Sequence, residues 1–381
     1  MSKESKKLLL SSINHKKVDR VPTMYRGEPS VNNKLVEYFN LGNLENDWDK
    51  MINLLGADNY SDGETFGGFT TYFPDYIGPD FNTIFEINRF DIWGIKPVEI
   101  YSGGVRNIVF SKNPPLYVKD EIEDIKKYNF PKLEWFDFSV YRNNTDQITY
   151  NSYKDQKKIK LSDLRKSDEY FLNTSCMNSI FMVSTYLRGI DKMFMDLALN
   201  LKYAETLLDS IGEFMVQFHI RNLKSIGRYI DLYGIWDDFA DQESLMISPE
   251  MWRKYYKKWY KKLIDEAKKY NLLVCFHVCG NCSEIISDLI EMGVDILDPV
   301  QVSAKNMELG ILKKKFGRNI CFHGGLDSQK LLPFAKPEEI RKEVRRIRKL
   351  FDGEGGIILG PSHYLTPDIP IENILAIYKN Q

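Results

Sequence analysis

The chain has little that would cross-link it, carry it through a membrane or draw it to a polyanion. Five cysteines in 381 residues is an odd number, and three of them crowd together, so a disulfide framework is not expected. Reduced thiols, and with them a cytoplasmic setting, are the expectation. No apolar run approaches the roughly 20 residues that span a bilayer. The opening MSKESKKLLLSSINHKK lacks the apolar core of a secretory leader. An excess of one charge is missing too: 52 Lys and Arg stand against 53 Asp and Glu. That balance excludes a strong electrostatic draw toward nucleic acid. No GxGxxG or Walker A pattern opens a helix, so nucleotide binding loses its usual sequence support.

What is present is an alternation of strand-like and helical segments, which favours a parallel α/β architecture. Strands are expected near 20–25 (RVPTMY), 179–184 (SIFMVS), 230–236 (IDLYGIW) and 272–279 (LLVCFHVC). Three more are expected near 294–301 (VDILDPVQ), 319–327 (NICFHGGLD) and 356–362 (GIILGPS). Their near-continuous apolar character fits strands buried on both faces. Helices with readable ends lie between them. Ser248 caps one, with Pro249 at its first position and Asn271 at its end. Pro337 opens another, whose Ile340, Val344, Ile347 and Phe351 repeat on one face. Arg26, Asp237, Asp238, His277, Cys279, Asp327 and His363 all fall where strands run out. That convergence favours a closed (β/α)8 barrel with its site at the C-terminal strand ends. Residues 1–381 read as one such domain, with a polar surface excursion at about 111–170.

The chemistry centres on VCFHVCGNC. His277 and Cys279 are two apart at a strand end, so both point to one face. An imidazole nitrogen beside a sulfur suits Zn²⁺, and a catalytic zinc needs three protein ligands. His363, past the last strand in LGPSHYLTP, is the expected third. Cys282, completing a CxxC at a helix start, is the alternative. Asp237 and Asp238 end a strand as adjacent carboxylates, so at most one faces a common pocket; they are the candidate catalytic acids. Arg26 offers a fork for a ligand carboxylate. Asp327 and Gln329 in GGLDSQ, and Tyr364 beside His363, are candidate substrate contacts.

VDRVPTMYRGEPS, DDFADQESLMISPEMW, FHVCGN, MGVDILDPVQ, FHGGLDSQKLLPF and PSHYLTPDIPIENILAIY together resemble the uroporphyrinogen decarboxylase superfamily, from about residue 8 to 378. The resemblance implies a single TIM barrel of that type. It offers two activities. Porphyrinogen decarboxylases carry an arginine-rich signature similar to RQAGR; here Arg26 is followed by Gly27-Glu28-Pro29-Ser30, and the second arginine is missing. NYSDGETF at 59–66 is a faint echo of their catalytic aspartate segment. The cobamide-dependent methyltransferases hold zinc with an HxC pair, matched by His277 and Cys279, and a distant cysteine, whose place His363 takes. The resemblance therefore implies a zinc-containing methyltransferase. It would exchange a methyl group between a corrinoid on a small corrinoid-binding protein and a small thiol, alcohol or phenol ether, or amine. Decarboxylation of a tetrapyrrole or other carboxylate is the alternative, and a non-enzymatic cobamide or tetrapyrrole carrier is a third. The substrate and the direction of transfer are not legible; a homodimer stands as a further expectation.

Overall fold

The computed structural model describes residues 2–61, 74–79, 91–102, 105–110, 113–139, 147–149, 158–160, 165–166, 168, 171–174 and 179–379. Much of the second half of the expected excursion at 111–170, and Asp62 to Phe66 of the NYSDGETF segment, lie outside the described residues.

Eight strands build the frame: β1 (Met24–Arg26), β2 (Asn59–Ser61), β3 (Asn173–Thr174), β4 (Leu232–Trp236), β5 (Leu273–His277), β6 (Ile296–Val300), β7 (Cys321–Leu326) and β8 (Ile357–Pro361). All their pairings are parallel. Bridges from Thr23 to Leu359 and from Gly27 to Leu365 set β1 against β8. The order is then β2-β1-β8-β7-β6-β5-β4-β3, the sequence around a (β/α)8 barrel.

Alternation along the strands sorts residues into two cores. Met24, Phe171, Leu232, Cys275, Ile296, Cys321 and Ile358 form one cluster, which fills the barrel interior. Leu9 and Ile13 of the helix Lys3–Ile13 join it from below. Ser12 pins that helix under β8: its hydroxyl donates to the Ile357 carbonyl at 2.7 Å, and its carbonyl accepts from Gly356 N at 2.7 Å. Tyr233, Ile235, Val274, Phe276, Leu297 and Phe322 point the other way, into the layer shared with the surrounding helices. Burying each such side chain stabilises the fold by roughly 1.5–3 kcal/mol.

Helix ends follow the sequence signals. The Ser248 hydroxyl accepts from Met251 N and Pro249 begins a helix that ends at Tyr255; a second helix, Lys257–Lys268, follows it, and Asn271 beyond takes the left-handed conformation at φ 57°. Ile340, Val344, Ile347 and Phe351 are buried along Pro337–Leu350 and its cap. One segment differs from expectation. SIFMVS at 179–184 begins the helix Ile180–Arg188 and is not a strand. Short apolar runs do not distinguish a buried strand from a buried helix. Here the Asp237 carboxylate decides it, by accepting from the first free amides of that helix, Phe181 N at 2.6 Å and Met182 N at 2.9 Å. The strand in this part of the barrel is Asn173–Thr174, a few residues earlier.

Candidate metal centre

Two residues above the apolar layer, the barrel interior changes character. Met24, Cys275, Ile296 and Cys321 give way on the same strands to Arg26, His277, Asp298 and His323. All four are buried, none more than 5% exposed. This is the floor of the site.

His277 is held on three sides. Its Nδ1 meets Asp298 Oδ2 at 2.5 Å, and its ring stacks on Trp236 at 4.1 Å between centroids and 24° between planes. Its Nε2 faces the Cys279 Sγ at 3.5 Å and Asp238 Oδ1 at 3.8 Å. Burial alone lowers the basicity of this ring; the Cys279 sulfur and the Asp298 carboxylate outweigh it and raise the pKa to about 10. Asp238 also accepts from Cys279 N at 3.0 Å, which locks the two strand ends together. One donor atom from each of Asp238, His277 and Cys279 lies within 4.8 Å of the other two.

The donor set fits a zinc ion. It combines a sulfur, an imidazole nitrogen and a carboxylate oxygen, the three donor types zinc takes. Two donors sharing a tetrahedral zinc, one nitrogen and one sulfur, stand about 3.6 Å apart. The His277–Cys279 separation of 3.5 Å matches that. Metal-bound histidines usually hand their other ring nitrogen to a carboxylate, as His277 does to Asp298.

Arg26 forms one wall. Its guanidinium lies 4.2 Å from the Tyr364 ring centroid, 5.3 Å from that of Trp236 and 4.0 Å from Asp298 Oδ2. His363 is exposed at the rim, 5.5 Å from Tyr364 between ring centroids. Crowding of its ring by protein, then the charges of Arg26 and His277, pull its pKa down to about 4. The ring is therefore neutral at neutral pH. His363 stands outside the three-donor group, in which Asp238 takes part instead.

The other expected site residues go elsewhere. Asp237 turns away from Asp238, as alternation requires, and is 1% exposed. Beyond the two helix amides it accepts from Tyr260 Oη at 2.6 Å, so it is committed to the wall behind the site. Asp327 accepts from Gln329 N at 2.8 Å and Lys330 N at 3.3 Å, which is turn chemistry, and Gln329 is exposed. Cys282 is fully buried in the apolar core, and burial pushes its thiol up to about 12. It does not join the donor group. The four described cysteines are all free thiols.

Asp237 also makes a pH prediction. Burial raises its carboxyl to about 7 against the pull of its three donors. Between roughly 4 and 7 the folded chain then holds a proton that the unfolded chain has released. Stability falls as pH rises through that window. Asp237→Asn is expected to cost about 1–3 kcal/mol and to flatten that slope in denaturation curves taken across the window. An unchanged slope would count against this reading of Asp237.

Known proteins locate the chain among relatives. The model of the family described as "Uroporphyrinogen decarboxylase (URO-D)" matches residues 165–380. A methylcobamide:CoM methyltransferase MtbA of Methanosarcina mazei is 25% identical over 186 residues, covering 48% of this chain and 51% of that protein. A uroporphyrinogen decarboxylase of Magnetococcus marinus is 20% identical over 178 residues, covering 45% and 46%. The chain thus spans about half the length of the curated relatives it matches. A solved structure of a methyltransferase from Methanosarcina mazei superposes with a TM-score of 0.61 at 18% identity, over 98% of this chain and 96% of that one; it shares the fold. The family match covers more than half of the residues and includes β4 to β8 with the whole His277–Cys279 loop: the chain belongs to the uroporphyrinogen decarboxylase (URO-D) family.

Proposed function

We propose that this chain is a zinc-containing methyltransferase that exchanges a methyl group between a corrinoid and a small thiol, alcohol or phenol ether, or amine. The observation that carries the reading is the His277 Nε2–Cys279 Sγ pair, set 3.5 Å apart at the barrel mouth with Asp298 behind the histidine. Similarity to the methylcobamide:CoM methyltransferases supports the same reading. So does the break in the arginine signature after Arg26. His277 and Cys279 would hold the zinc. Asp238 would be the third donor, and His363 stands at the rim outside that group. Zinc, when bound, supplies Lewis acidity that lowers the pKa of a thiol or eases departure of a thiolate or phenoxide.

The chain's own residues do the remaining work. Asp298 orients His277. Trp236 and Tyr364 shape an apolar wall around the Arg26 guanidinium, where an anionic group on the small substrate would find its partner. The corrinoid would arrive on a small carrier protein docking over the mouth. No helix among the described residues is long and apolar enough to cross a membrane. The test is zinc-dependent loss of the methyl group from methylcobalamin to an added thiol.

A further inference from the structure

We propose that Asp298 and His323 are positioning residues that act on His277 as a buried relay, with His323 fixing the Asp298 carboxylate and Asp298 fixing the tautomer and tilt of His277. The inference rests on the metal reading of His277 and adds two residues to it. Asp298 is 1% exposed, and its two oxygens are divided between two histidines. Oδ2 meets His277 Nδ1 at 2.5 Å, and Oδ1 meets His323 Nδ1. Arg26 approaches the same carboxylate at 4.0 Å. A carboxylate offers only acceptors, so each Nδ1 carries the proton that joins it. That leaves Nε2 of His277 as the nitrogen facing Cys279 and Asp238, the position a metal would take in place of its proton.

The three side chains come from neighbouring strands, β5, β6 and β7, all facing inward. His323 is 1% exposed and sits below the mouth, too deep to meet a docking partner directly. Its contact with Asp298 is therefore its route to the site. Without it, Oδ1 loses its donor and the carboxylate is free to rotate about its own bond, carrying His277 with it.

An amide at position 298 makes the strongest test. Asp298→Asn presents NH₂ to one of the two rings, which must then accept at Nδ1. When that ring is His277, its proton moves to Nε2 and faces the metal position. Asp298→Asn is expected to weaken zinc binding by roughly 10–100-fold in competition with a chromogenic chelator. His323→Ala is expected to weaken it by about 10-fold. His323→Asn keeps a donor near the Nδ1 position and should restore most of the loss. The second readout is the histidine tautomer, from long-range ¹H–¹⁵N correlation spectra of the metal-free protein. The wild type should show a protonated Nδ1 on His277, and His323→Ala should shift or broaden that proton.

Wild-type zinc affinity in folded Asp298→Asn and His323→Ala would overturn the relay. Should wild type itself take up no zinc, the metal reading fails, and the spectra decide the relay alone. An Nδ1 proton on His277 that responds to His323→Ala upholds it; one that ignores the substitution overturns it. A purely structural role would lower melting temperature and leave the His277 tautomer and the affinity per folded molecule unchanged.

Discussion

Cys279→Ala is expected to empty the proposed zinc site and reduce methyl transfer by on the order of 10³-fold or more. Lewis-acid stabilisation of a departing or attacking thiolate amounts to several kcal/mol, and about 4 kcal/mol corresponds to roughly a thousandfold in rate. The sulfur is the softest donor of the three, and His277 with Asp238 alone leaves two ligands where a catalytic zinc needs three. Folding should survive. Cys279 is only half-buried, and its backbone amide, which donates to Asp238, is kept in the variant. The measurement is zinc per chain by mass spectrometry beside a melting curve and the transfer rate. Full zinc retention in a folded Cys279→Ala protein would contradict the ligand assignment.

Gly280→Ala is expected to damage the site more than its size suggests. Gly280 has φ near +90°, where a side chain is strained. An added Cβ would stand 2.3 Å from the Asp241 carbonyl oxygen and 2.7 Å from its carbon. Backbone has no rotamer with which to step aside. The surroundings are also tied down. Gly280 N donates to Gln301 Oε1 at 2.8 Å, Asn281 N donates to the Asp241 carbonyl at 2.7 Å, and Asn281 Nδ2 donates to the Glu243 carbonyl at 2.7 Å. The loop after β5 is thereby fastened to the loop after β4, which fixes where Cys279 and Asp238 stand. Strain and clash together should cost about 2–4 kcal/mol, seen as a lower denaturation midpoint, with weaker zinc binding in the molecules that remain folded. A midpoint equal to wild type would show that this loop has room to move.

Much of this was legible in the sequence, for reasons that also mark where legibility stopped. His277 and Cys279 share a face because strand side chains alternate, and that arithmetic needs no structure. The same step of two, applied to ILDPV and CFHGG, leads from Ile296 to Asp298 and from Cys321 to His323. Neither is among the expected site residues, because both lie within their strands, short of the ends where site residues are sought. The structure puts them beneath the site, where a strand interior is the right place.

Alternation also said that Asp237 and Asp238 part company, but not which one turns inward. That is settled by the amides at the start of the helix Ile180–Arg188, which claim Asp237 from a distant part of the chain. The strands Asn59–Ser61 and Asn173–Thr174 left no readable trace, being two or three residues long and largely polar. Asp327 and Gln329 lie after a strand end as site residues do, yet the Asp327 carboxylate closes its own turn.

The most direct test of the central claim is to load the protein with zinc, add methylcobalamin and a series of small thiols, and follow the corrinoid spectrum. Loss of methylcobalamin that requires the protein, the zinc and a thiol, and that disappears in Cys279→Ala, is the predicted result. No methyl loss from either free or carrier-bound methylcobalamin, together with CO₂ release from a tetrapyrrole carboxylate by metal-free protein, would contradict it and make the chain a decarboxylase.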